Sequence, residues 1–119
     1  MSKRIPRLLL DDILHCADKI SECTDRMSFE EFLNDSKTID AVIRNFEIIG
    51  EAANRLPKKF KDKYPSVDWH RIRGFRNRIV HDYMGIDYQT VWLIKENFLP
   101  SLKRSDSGRF KNDLVGYFF

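Results

Sequence analysis

The sequence is poor in residues that break helices or reverse strands, with five glycines and four prolines in 119 residues. A fold of many short strands needs such a residue at nearly every reversal, so a many-stranded β architecture is not expected. Long apolar runs are also missing, and none approaches the roughly 20 residues that a membrane span requires. In the N-terminal stretch MSKRIPRLLLDDILHC, Asp11 and Asp12 interrupt the leucines, which argues against a signal peptide. The expectation is a cytoplasmic protein with no membrane partner. Cysteine is limited to Cys16 and Cys23, seven apart on one expected helix and so about 10 Å from each other. That is too far for a disulfide, and no second ligand pair points to zinc. There is no glycine-rich phosphate loop and no carboxylate cluster for a two-metal site.

What is present is an ordinary folded-domain balance of 42% apolar and 33% charged residues, enough for one core. The net charge of +3 is small but unevenly spread. Basic residues crowd the segment from Arg55 to Arg78, opposed there only by Asp62 and Asp68, whereas the first fifty residues lean acidic. A local basic field of this kind favours a polyanion such as RNA, with Lys58, Lys59, Arg73 and Arg78 as candidate contacts. A solvated lysine loop accounts for Lys58 to Lys63 equally well.

Apolar residues recur in steps of three and four. Leu9, Ile13, Cys16, Ile20, Cys23 and Met27 predict a helix over residues 7 to 27. Ser28 with Glu31 reads as a capping box that starts a short helix. Ile39, Val42, Phe46, Ile49, Ala53 and Leu56 form a second long stripe, ended by Pro57. Gly50 lies inside it at a cost of about 1 kcal/mol, unless a neighbouring helix approaches closely there. Residues 57 to 68 are expected to be a loop, after which Ser66 or Asp68 caps a helix through Trp69, Ile72, Phe75, Ile79 and Val80 that Gly85 stops. Asp87 caps a last helix through Val91, Trp92, Ile94, Phe98 and Leu99, with Pro100 expected to bend or end it. The predicted architecture is an all-α bundle of four or five helices, mostly antiparallel, over residues 1 to 104, with a separate tail from 105 to 119.

The densest chemistry lies in GFRNRIVHDYMG, residues 74 to 85, where Arg76, Asn77, Arg78, His81, Asp82 and Tyr83 interleave with apolar residues. Arg76 and His81 are five apart, about 140° around a regular helix, so they do not meet on one. They converge only if the helix loosens before Gly85 or if a second copy of the chain supplies the partner group. Glu47 is either a semi-buried carboxylate reaching toward Arg76 or an exposed flank, and Glu51, one turn on, carries the same two readings. Asp82 reads as a solvated residue or an interface ion pair, and His15 and His70 as structural.

Arg76 and Asn77, followed by His81 and then Tyr83, resemble the signature of HEPN-domain proteins. More narrowly they are similar to the HepT-like branch, toxins encoded beside a minimal nucleotidyltransferase antitoxin of the MntA type. The likeness extends to IRNFEIIGEAANRLP at 43 to 57 and VDWHRIRGFRNRIVHDY at 67 to 83. It implies a HEPN-like bundle that forms a homodimer, with a metal-independent ribonuclease site between protomers and no cofactor. It further implies that the nucleotidyltransferase silences the toxin by adenylylating Tyr83. In that reading Arg76 and His81 are catalytic, with Asn77, Tyr83 and Glu47 in support. The chemistry agrees in kind. An imidazole can exchange protons near neutrality, a guanidinium fork matches two phosphate oxygens, and AMP on a tyrosine would bring bulk and negative charge. The rival expectation is a non-catalytic adaptor that binds a nucleotide or substrate for the nucleotidyltransferase.

Overall fold

Spacing by threes and fours turns the two longest apolar stripes into two long helices that lie against each other. The computed structural model describes residues 4–65, 67–82 and 85–106. Its helices are α1 (Arg4–Cys23), α2 (Phe29–Leu33), α3 (Ser36–Arg55), α4 (Lys58–Lys61), α5 (Trp69–His81) and α6 (Tyr88–Asp106). Among the described residues there is no strand, and the chain is the all-α bundle expected. Tyr83, Ser66 and the tail from residue 107 lie outside the described residues.

The core is the stripes themselves. Leu10, Ile13 and Ile20 of α1 meet Val42 and Ile49 of α3 with essentially no exposure. Each side chain buried in this way contributes about 1.5–3 kcal/mol. The other face of α3 carries α5, and α6 packs on α1 and α2, where Trp92 meets Phe32 at a ring separation of 5.1 Å. Side chains set the helix starts. Ser28 and Glu31 exchange both bonds of a capping box. Asp68 caps α5 through the Arg71 amide, and Asp87 caps α6 through the Gln89 amide.

Four boundaries differ from expectation. α1 stops at Cys23, because Thr24 turns its hydroxyl back onto the Ile20 carbonyl at 2.7 Å and Arg26 takes a left-handed φ of 57°. Met27 still packs against the core, from a turn and not from the helix. The loop from 57 to 68 contains α4, one turn anchored by buried Phe60, with Tyr64 buried four residues on. α5 ends at His81, earlier than Gly85, with Asp82 closing it onto the Arg78 carbonyl. Finally, α6 runs through Pro100 to Asp106. Pro100 is exposed, which leaves the backbone group it cannot bond on the solvent side of the helix.

Candidate active site

Gly50 is where α3 and α5 come closest. A methyl group there would collide with Arg76 Cβ and lie 2.6 Å from Arg76 Cγ, so the glycine admits the arginine stem against the α3 backbone. The next residue of α3, Glu51, receives the head: Arg76 Nη2 donates to Glu51 Oε2 at 2.6 Å. On the other side, Arg76 Nη1 donates to Asn77 Oδ1 at 3.1 Å. The Nε–H is buried without a partner. A guanidinium has five N–H bonds. With one on each Nη engaged, one on each remains to bond an anion.

The arginine lies at the wall of a cavity of about 380 Å³ between α1, α3 and α5, which Glu47, Glu51, Asp12, Ile48 and Val80 also line. Val80, expected in the core, is instead 47% exposed at this rim. Three carboxylates face two guanidinium groups here, since Arg55 joins Arg76. A single chain therefore does not make this cavity an anion site.

The remaining cluster lies on the outer side of α5. Arg73, Asn77 and His81 follow at four-residue intervals, which places them along one side of the helix. His81, the last helical residue, is exposed, as are Arg73 and Arg78. Asn77, considered as a support for His81, directs its side-chain oxygen to Arg76. Glu47 lines the cavity, while Glu51 makes the ion pair. Arg76, near the middle of α5, and His81, its last residue, are thus on one helix, held apart by helical geometry, with Asn77 between them.

Lys58 and Lys59 are not part of this group. Lys58 pairs with Asp62 at 3.1 Å and borders a surface groove with His70, at the start of α5 and opposite the His81 end. Thirteen helical residues make that separation about 18 Å. No three metal-ligating side chains gather anywhere among the described residues. No described helix is long and apolar enough to cross a membrane. Glu51 was not distinguishable from Glu47 in sequence, and the signal that separates them is its neighbour, the costly glycine at 50.

Residues 13–105 match the model of a protein family described as Ribonuclease HepT-like. The chain is 44% identical over 101 residues to a Methanocaldococcus jannaschii protein named as a candidate RNase, covering 85% of this chain and 84% of that one. A second such protein of the same organism is 38% identical over 104 residues, covering 87% and 86%. The "Probable ribonuclease HepT" of Thermococcus cleftensis is 40% identical over 101 residues, covering 85% and 92%. No solved structure matches the chain.

Proposed function

The chain belongs to the ribonuclease HepT-like family, and on that premise we propose that it is a metal-independent endoribonuclease toxin of the cytoplasm, acting as a homodimer. The observation that carries this is the Arg76 head, fixed by Glu51 and Asn77 on the same helix, α5, that ends in an exposed histidine. Cleavage begins when an imidazole takes the proton of a ribose 2′-hydroxyl. That oxygen attacks the adjacent phosphorus, the bond to the 5′-oxygen breaks, and an acid returns a proton to the departing oxygen. The products are a 2′,3′-cyclic phosphate and a 5′-hydroxyl. His81 serves as the proton carrier, taking the proton of the 2′-hydroxyl and returning one to the departing oxygen. Arg76 holds the phosphate as charge builds on its oxygens. Arg73 and Arg78 guide the strand electrostatically.

Regulation fits the same site. An MntA-type nucleotidyltransferase would join the Tyr83 phenol oxygen to the α-phosphate of ATP, releasing pyrophosphate. The AMP so placed, two residues after His81, obstructs the RNA path by bulk and charge. Intact mass after co-expression with such an enzyme tests this step: an added AMP that Tyr83→Phe abolishes supports it, and an unmodified chain refutes it.

A second reading has one observation behind it, the excess of carboxylates in the Arg76 cavity. A chain that did not bring RNA phosphate to Arg76 would act as a non-catalytic adaptor, presenting a nucleotide or substrate to the nucleotidyltransferase. The deciding experiment is incubation of total RNA with the purified chain in EDTA, beside His81→Ala and Arg76→Ala. The enzyme reading predicts cleavage by the native chain and losses of about 10²-fold or more in both variants. Equal cleavage by all three, or none by the native chain, leaves the adaptor.

A further inference from the structure

The most lopsided charge in the chain lies largely away from the Arg76 cavity. Between Arg55 and Arg78 nine cations stand against two carboxylates, Asp62 and Asp68, although the whole chain carries a net charge of only +3. Both carboxylates are engaged. Asp62 pairs with Lys58 at 3.1 Å. Asp68 caps α5 through the Arg71 amide and pairs with Arg71 Nε at 3.6 Å. Lys59, Lys61, Lys63, Arg73 and Arg78 make no ion pair with another described residue. The positive charge of this segment is therefore not balanced within it.

Where α4 meets the start of α5, Lys58 and Lys61 border a groove of about 670 Å³, with Asp62, Asp68, Trp69 and His70 among its other walls. Trp69 is half-buried, and its indole N–H donates to the Lys61 and Tyr64 carbonyls, both at 3.2 Å. These two bonds fix the ring in the wall. A fixed aromatic ring beside unbalanced cations is the combination that binds single-stranded nucleic acid, where bases stack on the ring and cations take the phosphates. An acidic protein segment would use the cations but has no need of the ring.

The groove also leads to the histidine proposed for cleavage. His70, Arg73, Asn77 and His81 follow in steps of three, four and four, so they lie along one side of α5. The helix rises about 17 Å from His70 to His81. A stacked strand sets its phosphates about 3.4 Å apart and a stretched one further, so the path spans at most about five nucleotides.

We propose that the groove between α4 and the start of α5 is a second contact for the RNA strand, holding a nucleotide within about five positions of the cleaved bond. Trp69 offers the face on which an unpaired base stacks, Lys61 meets a phosphate, and His70 supplies a ring N–H at the start of the track. This rests on the ribonuclease reading above and adds a subsite that Arg76 and His81 do not touch. It also selects single strands, because a duplex keeps its base faces stacked on one another and has none to give Trp69.

Fluorescence anisotropy with a labelled 2′-O-methyl RNA dodecamer of mixed sequence tests the assignment, since a strand without free 2′-hydroxyls binds and is not cut. Lys61→Glu is compared with Lys37→Glu, the same change of charge on the first turn of α3. Lys61→Glu should raise Kd about tenfold or more, and Lys37→Glu less than about threefold. The slope of log Kd against log salt should shrink by about 0.7 or more in Lys61→Glu. If the native chain cleaves total RNA but fails to bind the dodecamer, or binds it equally well in both variants, the groove is overturned and the ribonuclease stands. Binding that Lys61→Glu weakens, without cleavage of total RNA by the native chain, keeps the groove and overturns the ribonuclease. Neither binding nor cleavage overturns both. Polyglutamate that binds more tightly than the dodecamer, and does so through Lys61, would assign the groove to an acidic protein and overturn the inference. Should Lys61→Glu not fold, a Trp92→Phe chain decides, because Trp69 is then its one tryptophan. Saturating dodecamer should quench that emission, and unchanged emission contradicts the stacking.

Discussion

Glu51 Oε2 lies 2.6 Å from Arg76 Nη2 and joins helices whose contacting residues are 25 apart in sequence. The pair is partly open to water, so its contribution to stability is on the order of 1 kcal/mol or less. Its greater effect is on direction. Asn77 takes the second Nη and Gly50 admits the stem, so the guanidinium has one orientation before any substrate arrives. Preorganised charge of this kind favours the transition state without reorganisation during the reaction.

Glu51→Gln should therefore lower kcat for RNA cleavage by roughly tenfold to a hundredfold. KM should not rise, because the substitution also removes a negative charge from the neighbourhood of the phosphate. Steady-state kinetics on a short RNA reads both constants. A higher KM with unchanged kcat would show that Glu51 does not position Arg76 for the chemical step.

Gly50→Ala should destabilise the fold by about 1–3 kcal/mol, although alanine is the better helix former. The added methyl group meets Arg76 at its Cβ and Cγ, the rigid end of that side chain, so α3 and α5 must separate. Urea denaturation measures the change. A neutral or stabilised variant would contradict the close approach of the two helices.

Two caps make the stability depend on acid. The Thr38 hydroxyl and amide hold Asp35 below its ordinary carboxylate range, and the Ser28 amide and hydroxyl do the same for Glu31. A carboxylate whose pKa is lowered by folding stabilises the native state above its unfolded pKa, and the contribution disappears as pH falls through the folded value. Asp35→Ala should be clearly less stable than the native chain at pH 7, and the gap should narrow from about pH 4 downward. Urea midpoints across that range test it, and a constant gap would contradict it.

Burial raises the pKa of both thiols, with Asp12 adding to the effect at Cys16. Little thiolate forms near neutrality, and iodoacetamide should modify the native chain at least tenfold more slowly than the chain in urea. Cys16, fully buried, should lag behind half-buried Cys23. Mass spectrometry over time follows both, and equal rates in native and unfolded chain would contradict the packing of α1.

The helices were legible because their apolar steps repeat over about three turns or more, as in Ile39, Val42, Phe46 and Ile49, all buried. Caps were legible because Ser28, Asp68 and Asp87 bond within a few residues of themselves. Gly50 showed in advance that a helix must come close, but not which one. Choosing Glu51 over Glu47 needed the packing of α3 on α5, since one turn separates them on a single stripe. The same packing leaves Val80 at a rim, which its side chain alone would not suggest. α4 escaped notice because one helical turn is too short to show a period, and its anchor is buried Phe60.

On one α5 helix Arg76 and His81 point about 140° apart, and the proposed enzyme needs them on one phosphodiester. Co-expression of Arg76→Ala and His81→Ala chains under different affinity tags, followed by isolation of the mixed dimer, tests this most directly. Each mixed dimer retains one unaltered Arg76 and one unaltered His81, on different protomers. If the two residues act across the subunit boundary, the mixed dimer should recover up to about half of native RNA cleavage, while each parent dimer stays inactive. A mixed dimer no more active than its parents would contradict a site shared between protomers.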